Sequence, residues 1–291
     1  MPRASISSQM KPAIDRFLSH LRVEQERAKN TVSAYSIDVR QFEQVLSARA
    51  GGAVKPHDLS TRMVSEYSNW LVEQGYRPST VSRKMAAARA FLLYLAEKER
   101  TVSRRIPDQL QPPSTPRRLP RTLSEDEIRR LLAAPGRVES PRALRDSAVL
   151  ALLYSAGMRA SEAVQVNLED LDLKAGTLVR RGPEPVILQL AGSVGALGRY
   201  LTAGRPHLVR DARERALYLN LRGKRLSRQG LWLVVKRWAA AADLGADLSP
   251  HSLRHSLIRH LLQQGRSKRD IQAMLGLSSP NAIRVRLTAK R

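Results

Sequence analysis

Between Thr101 and Thr122 the chain carries five prolines (Pro107, Pro112, Pro113, Pro116, Pro120) and five arginines (Arg104, Arg105, Arg117, Arg118, Arg121), with little hydrophobic periodicity. Proline fixes φ and removes a backbone donor, so neither a helix nor a central strand can run through this stretch. It is expected to be an extended, semi-rigid basic linker, and its arginines, Arg117 and Arg118 among them, are candidates for a strap along a phosphate backbone. The 291 residues are thereby divided into segments long enough for a core each. The reading is a domain over residues 1–100, a linker over 101–122 and a second domain over 123–291.

Upstream of the linker the apolar residues recur at three- and four-residue spacing, with breaks at Gly51-Gly52 and from Gly75 to Pro78. Four helices are predicted, lined in turn by Ile14, Phe17, Leu18 and Leu21; by Val32, Tyr35, Val39, Phe42 and Val45; by Val64, Tyr67, Trp70 and Leu71; and by the run Val81 to Leu95. In the fourth, Ala86, Ala87, Ala90, Phe91, Tyr94 and Leu95 are expected to face the core. Its outer face is then small and cationic, which suits approach to a DNA groove, and Arg83, Lys84 and Arg89 are the candidate contacts.

Downstream, Ser124 with Glu127 forms a capping box at a helix start. A buried helix is expected from Ala143 to Tyr154, ending at Ala156-Gly157-Met158-Arg159. Two short strands, Thr177–Arg180 and Val186–Leu190, flank a turn, and a helix runs from Arg228 to Ala242. The fold class is mainly α (α+β): a helical N-terminal domain and a C-terminal domain with a small sheet.

Near the end lies Ser249-Pro250-His251-Ser252-Leu253-Arg254-His255. Ser249 is a good N-cap and Pro250 a good first helical residue, so His251 and Arg254 stand one turn apart on a helix whose free N–H groups also favour anions. That is a candidate phosphate clamp. Composition points to a polyanion as what it holds. The formal charge is +24, and from Arg222 to Arg291 there are 15 Lys and Arg against 3 Asp and Glu, half the excess in 70 residues. Lys224 and Arg228, inside this basic segment, are further candidate DNA contacts. The chain has no cysteine, which excludes disulfides and cysteine metal sites. No apolar run approaches the ~20 residues of a membrane span, and the amino terminus leads into an amphipathic stretch rather than a signal peptide. A soluble cytoplasmic, nucleoid-associated protein without metal or cofactor is expected.

Three motifs, in order, resemble the tyrosine site-specific recombinases and phage integrases, of the Xer type in particular: Leu153 to Glu162, Ser249 to His255, and Leu275-Gly276-Leu277-Ser278-Ser279. The resemblance covers nearly the whole chain. It implies an N-terminal four-helix core-binding (SAM-like) domain and a C-terminal catalytic-type domain that together hold duplex DNA. It also implies that Arg159, His251 and Arg254 are the residues that bind the scissile phosphate, the arginines stabilising the charge of a pentavalent transition state.

Other family positions differ. The lysine of the strand-to-strand turn is absent from Arg181-Gly182-Pro183-Glu184-Pro185, the second histidine falls on Leu277, and the nucleophilic tyrosine falls on Arg286; the last tyrosine is Tyr218. The expectation from these positions is a pseudo-recombinase that binds double-stranded DNA in a regulatory, architectural or accessory role. Two alternatives stand beside it: a recombination or integration enzyme using a partner's tyrosine or an unexpected nucleophile, and an RNA-binding or assembly protein. The partners expected are double-stranded DNA and either a second copy or an active tyrosine recombinase.

Overall fold

The apolar spacing upstream of the linker closes into a helical bundle. In the computed structural model, which describes residues 10–27, 29–111, 121–182, 185–245 and 247–276, the chain forms two units, Met1–Arg117 and Arg118–Arg291. The first contains α1 (Lys11–Val23), α2 (Lys29–Ala50), α3 (Thr61–Glu73) and α4 (Pro78–Tyr94). Its core is aromatic: the Phe17 and Phe91 rings lie 5.4 Å apart, and Phe42 meets Tyr67 edge-on at 4.8 Å, the geometries that aromatic quadrupoles favour.

The phase of α4 differs from expectation at two positions. Its buried stripe runs through Val81, Lys84, Met85, Ala88, Phe91 and Leu92, leaving Ala86 exposed. Lys84 is therefore an interior residue, 6% exposed, rather than part of an outer cationic face. It lies three residues after Val81 and four before Ala88, so the packing that buries those two carries it inward. Asp38 of α2, 1% exposed, meets its ammonium at 3.2 Å, the Gln41 carbonyl oxygen also accepts from it, and the Tyr76 ring lies beneath. Burial of an ammonium requires such pairing.

The start of the expected linker also belongs to this unit. A short 3-10 turn, Pro107–Gln109, is flanked by Ile106 and Leu110, which are buried in the N-terminal core. Arg117 and Arg118 lie outside the described residues.

The second unit contains α5 (Glu125–Ala133), α6 (Pro141–Ser155), α7 (Ala160–Ala163), β1 (Leu171–Asp172), β2 (Thr177–Arg180), β3 (Val186–Gln189), α8 (Val194–Arg199), α9 (Arg205–Leu208), α10 (Arg228–Ala241), α11 (Pro250–Gln263) and α12 (Lys268–Leu275). The capping box at Ser124 forms as expected, Ser124 Oγ accepting from the Glu127 amide at 3.2 Å and the Glu127 carboxylate from the Ser124 amide at 2.8 Å. Helix α6 is the central element, with Val149, Leu150, Leu152 and Leu153 fully buried. Its own Asp146 accepts from the Trp238 indole of α10 at 2.9 Å and is paired with Arg145. The sheet has three antiparallel strands in the order β1-β2-β3, one more than expected. Leu178 pairs with Leu188 on its inner face, while Val179 and Ile187 pair on the outer. No helix among the described residues is long and apolar enough to cross a membrane.

Candidate nucleic-acid interface

The site starts from a glycine. Helix α6 ends at Ser155, and Gly157 turns the chain with φ +56°; a Cβ there would meet methyl groups of Leu257 and Leu275 at 2.9 Å. The left-handed turn needs a residue without a side chain on both counts. It does two things for the site. It presents the Gly157 carbonyl inward, and it places Arg159 at the N-cap of α7 with its side chain half exposed. Glu162 holds Arg159 at both ends, accepting from its backbone N–H at 2.7 Å and from Nη1 at 2.9 Å.

From the other side comes α11. Ser249 and Ser252 close its first turn, Ser252 Oγ accepting from the Ser249 amide at 3.2 Å. His251 then lies at the exposed rim, while Arg254 points inward and is 7% exposed. Arg254 Nη1 donates to the Gly157 carbonyl, but its Nη2 is buried and has no hydrogen-bond partner among the described residues. A buried guanidinium that lacks an acceptor loses several kcal/mol of solvation, by the ~1–3 kcal/mol scale for one unsatisfied donor and more for a charged one. Burial, then the nearby Arg159, push its pKa down to about 10, with Glu162 opposing. An anion placed here would satisfy Nη2 and offset the repulsion among the cations.

Loss of hydration on its packed side lowers the pKa of the partly exposed His251, with Arg254, Arg159 and Arg228 adding to the effect. The imidazole is thus neutral at pH 7 and can donate from one nitrogen and accept at the other. Arg159, His251 and Arg228 border one recess of about 590 Å³. Arg254 lies close enough to act on the first two, and Arg228 joins them at the first position of α10, whose N-cap Ser227 accepts from the Gly230 amide at 3.0 Å.

The remaining candidates lie elsewhere. Lys224 is exposed in a turn whose backbone is tied to Asn220, and Leu277 and Arg286 lie outside the described residues. Arg83 is half exposed and bound to Asp38; Arg89, part-exposed, is 3.4 Å from Asp108. Three residues near the cluster were not among the candidate contacts. Glu162 holds Arg159. Arg180 stands 3.8 Å from Glu162 and donates to the Leu275 and Gly276 carbonyls at 2.9 and 2.8 Å, capping the end of α12. Trp232 lines the recess with 43% of its surface exposed. The signal for Trp232 was present in the i, i+4, i+8 stripe Arg228, Trp232, Lys236 along one helix face.

The three tyrosines of this unit serve the fold. Tyr218 is buried, its hydroxyl donating to the Ala148 carbonyl at 3.1 Å, and burial raises its pKa well above normal. Tyr200 is also buried, its hydroxyl accepting from the Leu219 amide at 3.3 Å. Tyr154 shares a 2.8 Å hydrogen bond with His260 Nδ1.

A helical N-terminal unit, a mainly helical C-terminal unit with a small antiparallel sheet, and an Arg-His-Arg cluster at the junction of α6, α7 and α11 define an integrase-type protein, and the chain belongs to the phage integrase family. Residues 121–289 match the phage integrase family and residues 14–99 match the phage integrase N-terminal SAM-like domain. Tyrosine recombinase XerC of Roseiflexus sp. (strain RS-1) is 38% identical over 285 residues, covering 95% of this chain and 88% of the relative. Tyrosine recombinase XerD of Pseudomonas aeruginosa is 33% identical, covering 94% and 91%. Among solved structures, XerA recombinase is 25% identical with a TM-score of 0.51, covering 94% and 92%. XerH site-specific recombinase bound to palindromic difH substrate shares the fold at a TM-score of 0.68 and 21% identity, covering 97% and 94%.

These relatives correct one expectation. Departures at the turn, at Leu277 and at Arg286 had pointed to a pseudo-recombinase, whereas the proteins this chain resembles along nearly its full length are named as tyrosine recombinases. Two of the departures, Leu277 and Arg286, fall outside the described residues, and they do not define an inactive protein.

Proposed function

We propose that this chain works in Xer-type site-specific recombination of double-stranded DNA, holding a phosphodiester in the recess while a tyrosine supplied by a partner subunit attacks it. The observation that carries this reading is the buried Nη2 of Arg254, without a partner among the described residues, close to Arg159 and His251. A pentavalent phosphorus gains negative charge on its equatorial oxygens as the attacking oxygen bonds and the 5′ oxygen leaves. Arg254 and Arg159 are placed to stabilise that charge, and a water-poor, prearranged setting makes such stabilisation large. Neutral His251 can donate to a phosphate oxygen. Arg228 adds a fourth cationic or polar contact at the start of α10.

The attacking group is assigned to a partner because the family's tyrosine position falls on Arg286 and the three tyrosines of this unit are hydrogen-bonded within it. In this reading residues 1–100 are the core-binding domain, 101–122 the linker and 123–291 the catalytic-type domain. Arg83, Arg89, Arg117, Arg118 and Lys224 would contact the DNA backbone and set position rather than chemistry.

A nicked suicide substrate tests the proposal directly. Mixed with a tyrosine-bearing Xer recombinase, the protein is expected to give a covalent protein–DNA adduct, and Arg254→Ala in this chain is expected to reduce its yield. Absence of any adduct dependent on this chain would end the reading, and a clear preference for structured RNA over duplex DNA in competition would redirect it.

A further inference from the structure

The two indoles of the C-terminal unit's α10 are treated in opposite ways. Trp238 is 6% exposed and its N–H is bonded to Asp146. Trp232 is 43% exposed, borders the recess that holds Arg159, Arg228 and His251, and has the Lys236 ammonium 4.8 Å from its ring centroid. It stands four residues after Arg228 and four before Lys236, so cation, aromatic and cation follow one another along one face. A cation against a ring strengthens the ring as a stacking surface and screens nearby phosphate charge. The recess, at about 590 Å³, is of ligand size, where a phosphate alone would leave most of it empty.

We propose that Trp232 is a stacking platform for one nucleobase that has left the helical stack next to the phosphate gripped by Arg159, His251 and Arg254. This rests on the DNA-acting reading above and adds the form of the substrate at the site. In an intact duplex each base has both faces covered by its neighbours and offers only its edges in the grooves. A flat indole beside a phosphate clamp matches a π-face, which a base presents only when it is unpaired or flipped. The aromatic cost of exposure is thereby offset when DNA is bound, and the protein favours DNA that is easily opened at the clamp.

The test compares the full chain on two short hairpin duplexes of the same sequence, one fully paired and one with a single-base bulge carrying 2-aminopurine, by fluorescence anisotropy. The wild-type protein is expected to bind the bulged duplex roughly 5- to 150-fold more tightly, the range that ~1–3 kcal/mol per stacked base provides, and to quench the 2-aminopurine. Trp232→Ala is expected to bring the ratio close to one, and Trp232→Phe to retain much of it. Equal wild-type affinity for the two duplexes, or a ratio unchanged in Trp232→Ala, would overturn the proposal while leaving the DNA-acting reading intact. Failure of the wild-type protein to bind either duplex would overturn both.

Discussion

At the scale of single residues the site gathers cations around a buried donor that has no acceptor among the described residues. Arg254 is held by one carbonyl and left open at Nη2, Arg159 is held by Glu162, and His251 is kept neutral by burial and by both arginines. Arg254→Ala is expected to lower partner-dependent strand cleavage by roughly 10²–10³, the usual loss on removing one oxyanion donor. Its effect on DNA affinity should be under about tenfold, because phosphate contacts are spread over many cations; cleavage rates and dissociation constants measured on the same duplex separate the two. His251 and His255 both have folded pKa values below the ordinary one, chiefly through burial. A depressed pKa means that the unfolded chain binds the proton more readily. The stability these groups contribute is present above the unfolded value near 6.5 and is lost as pH falls below it. The urea midpoint is therefore expected to fall between about pH 6.5 and pH 5, and less so in a His251→Gln, His255→Gln double variant. Phosphate binding has the opposite sign: an anion favours protonated His251, so DNA binding should tighten over that same fall in pH.

Among the elements, α4 shows most plainly what long-range packing adds to local pattern. Its helical spacing is legible in the sequence, as are its N-terminal proline and the apolar residues from Val81 to Leu95. The direction of Lys84 is not, because a lysine on a helix is ordinarily a solvent residue and its partner Asp38 is 46 positions away on α2. Asp38→Ala is expected to destabilise the N-terminal unit by about 3–5 kcal/mol, since it leaves a buried ammonium unpaired. The double variant Asp38→Leu, Lys84→Met should recover most of that loss, and urea titrations followed by circular dichroism measure both. The cap at Ser124 behaves in the opposite way: its partners are three residues apart, and the motif alone predicts the two hydrogen bonds found. Between these lies the end of α12, where Gly276 reads as a helix stop but nothing local says that Arg180 from β2 will bind its last carbonyls.

For the molecule as a whole, net charge sets the salt dependence expected of the proposed duplex binding. A formal charge of +24 with half of the excess in the last 70 residues makes counterion release a large part of any duplex binding. A plot of log K against log salt for the full chain is expected to be linear, with a slope of roughly −0.9 for each phosphate neutralised and about 6–10 phosphates involved. A slope near −2 would confine the contact to the clamp. Features whose causes lie within a few residues were legible before folding: the helices, their caps, the proline-rich stretch, the motif order and the family. Arg159, His251 and Arg254 could be singled out from their motifs, and the structure brings them near one another. Long-range packing is what makes Lys84 interior, joins Ile106 and Leu110 to the N-terminal core, sets Trp232 at the recess, and leaves Arg254 beside Gly157 with a buried donor that has no acceptor among the described residues. Those outcomes depend on which distant groups are brought into contact, and a pattern with a period of three or four residues carries no record of a partner 46 or 97 positions away.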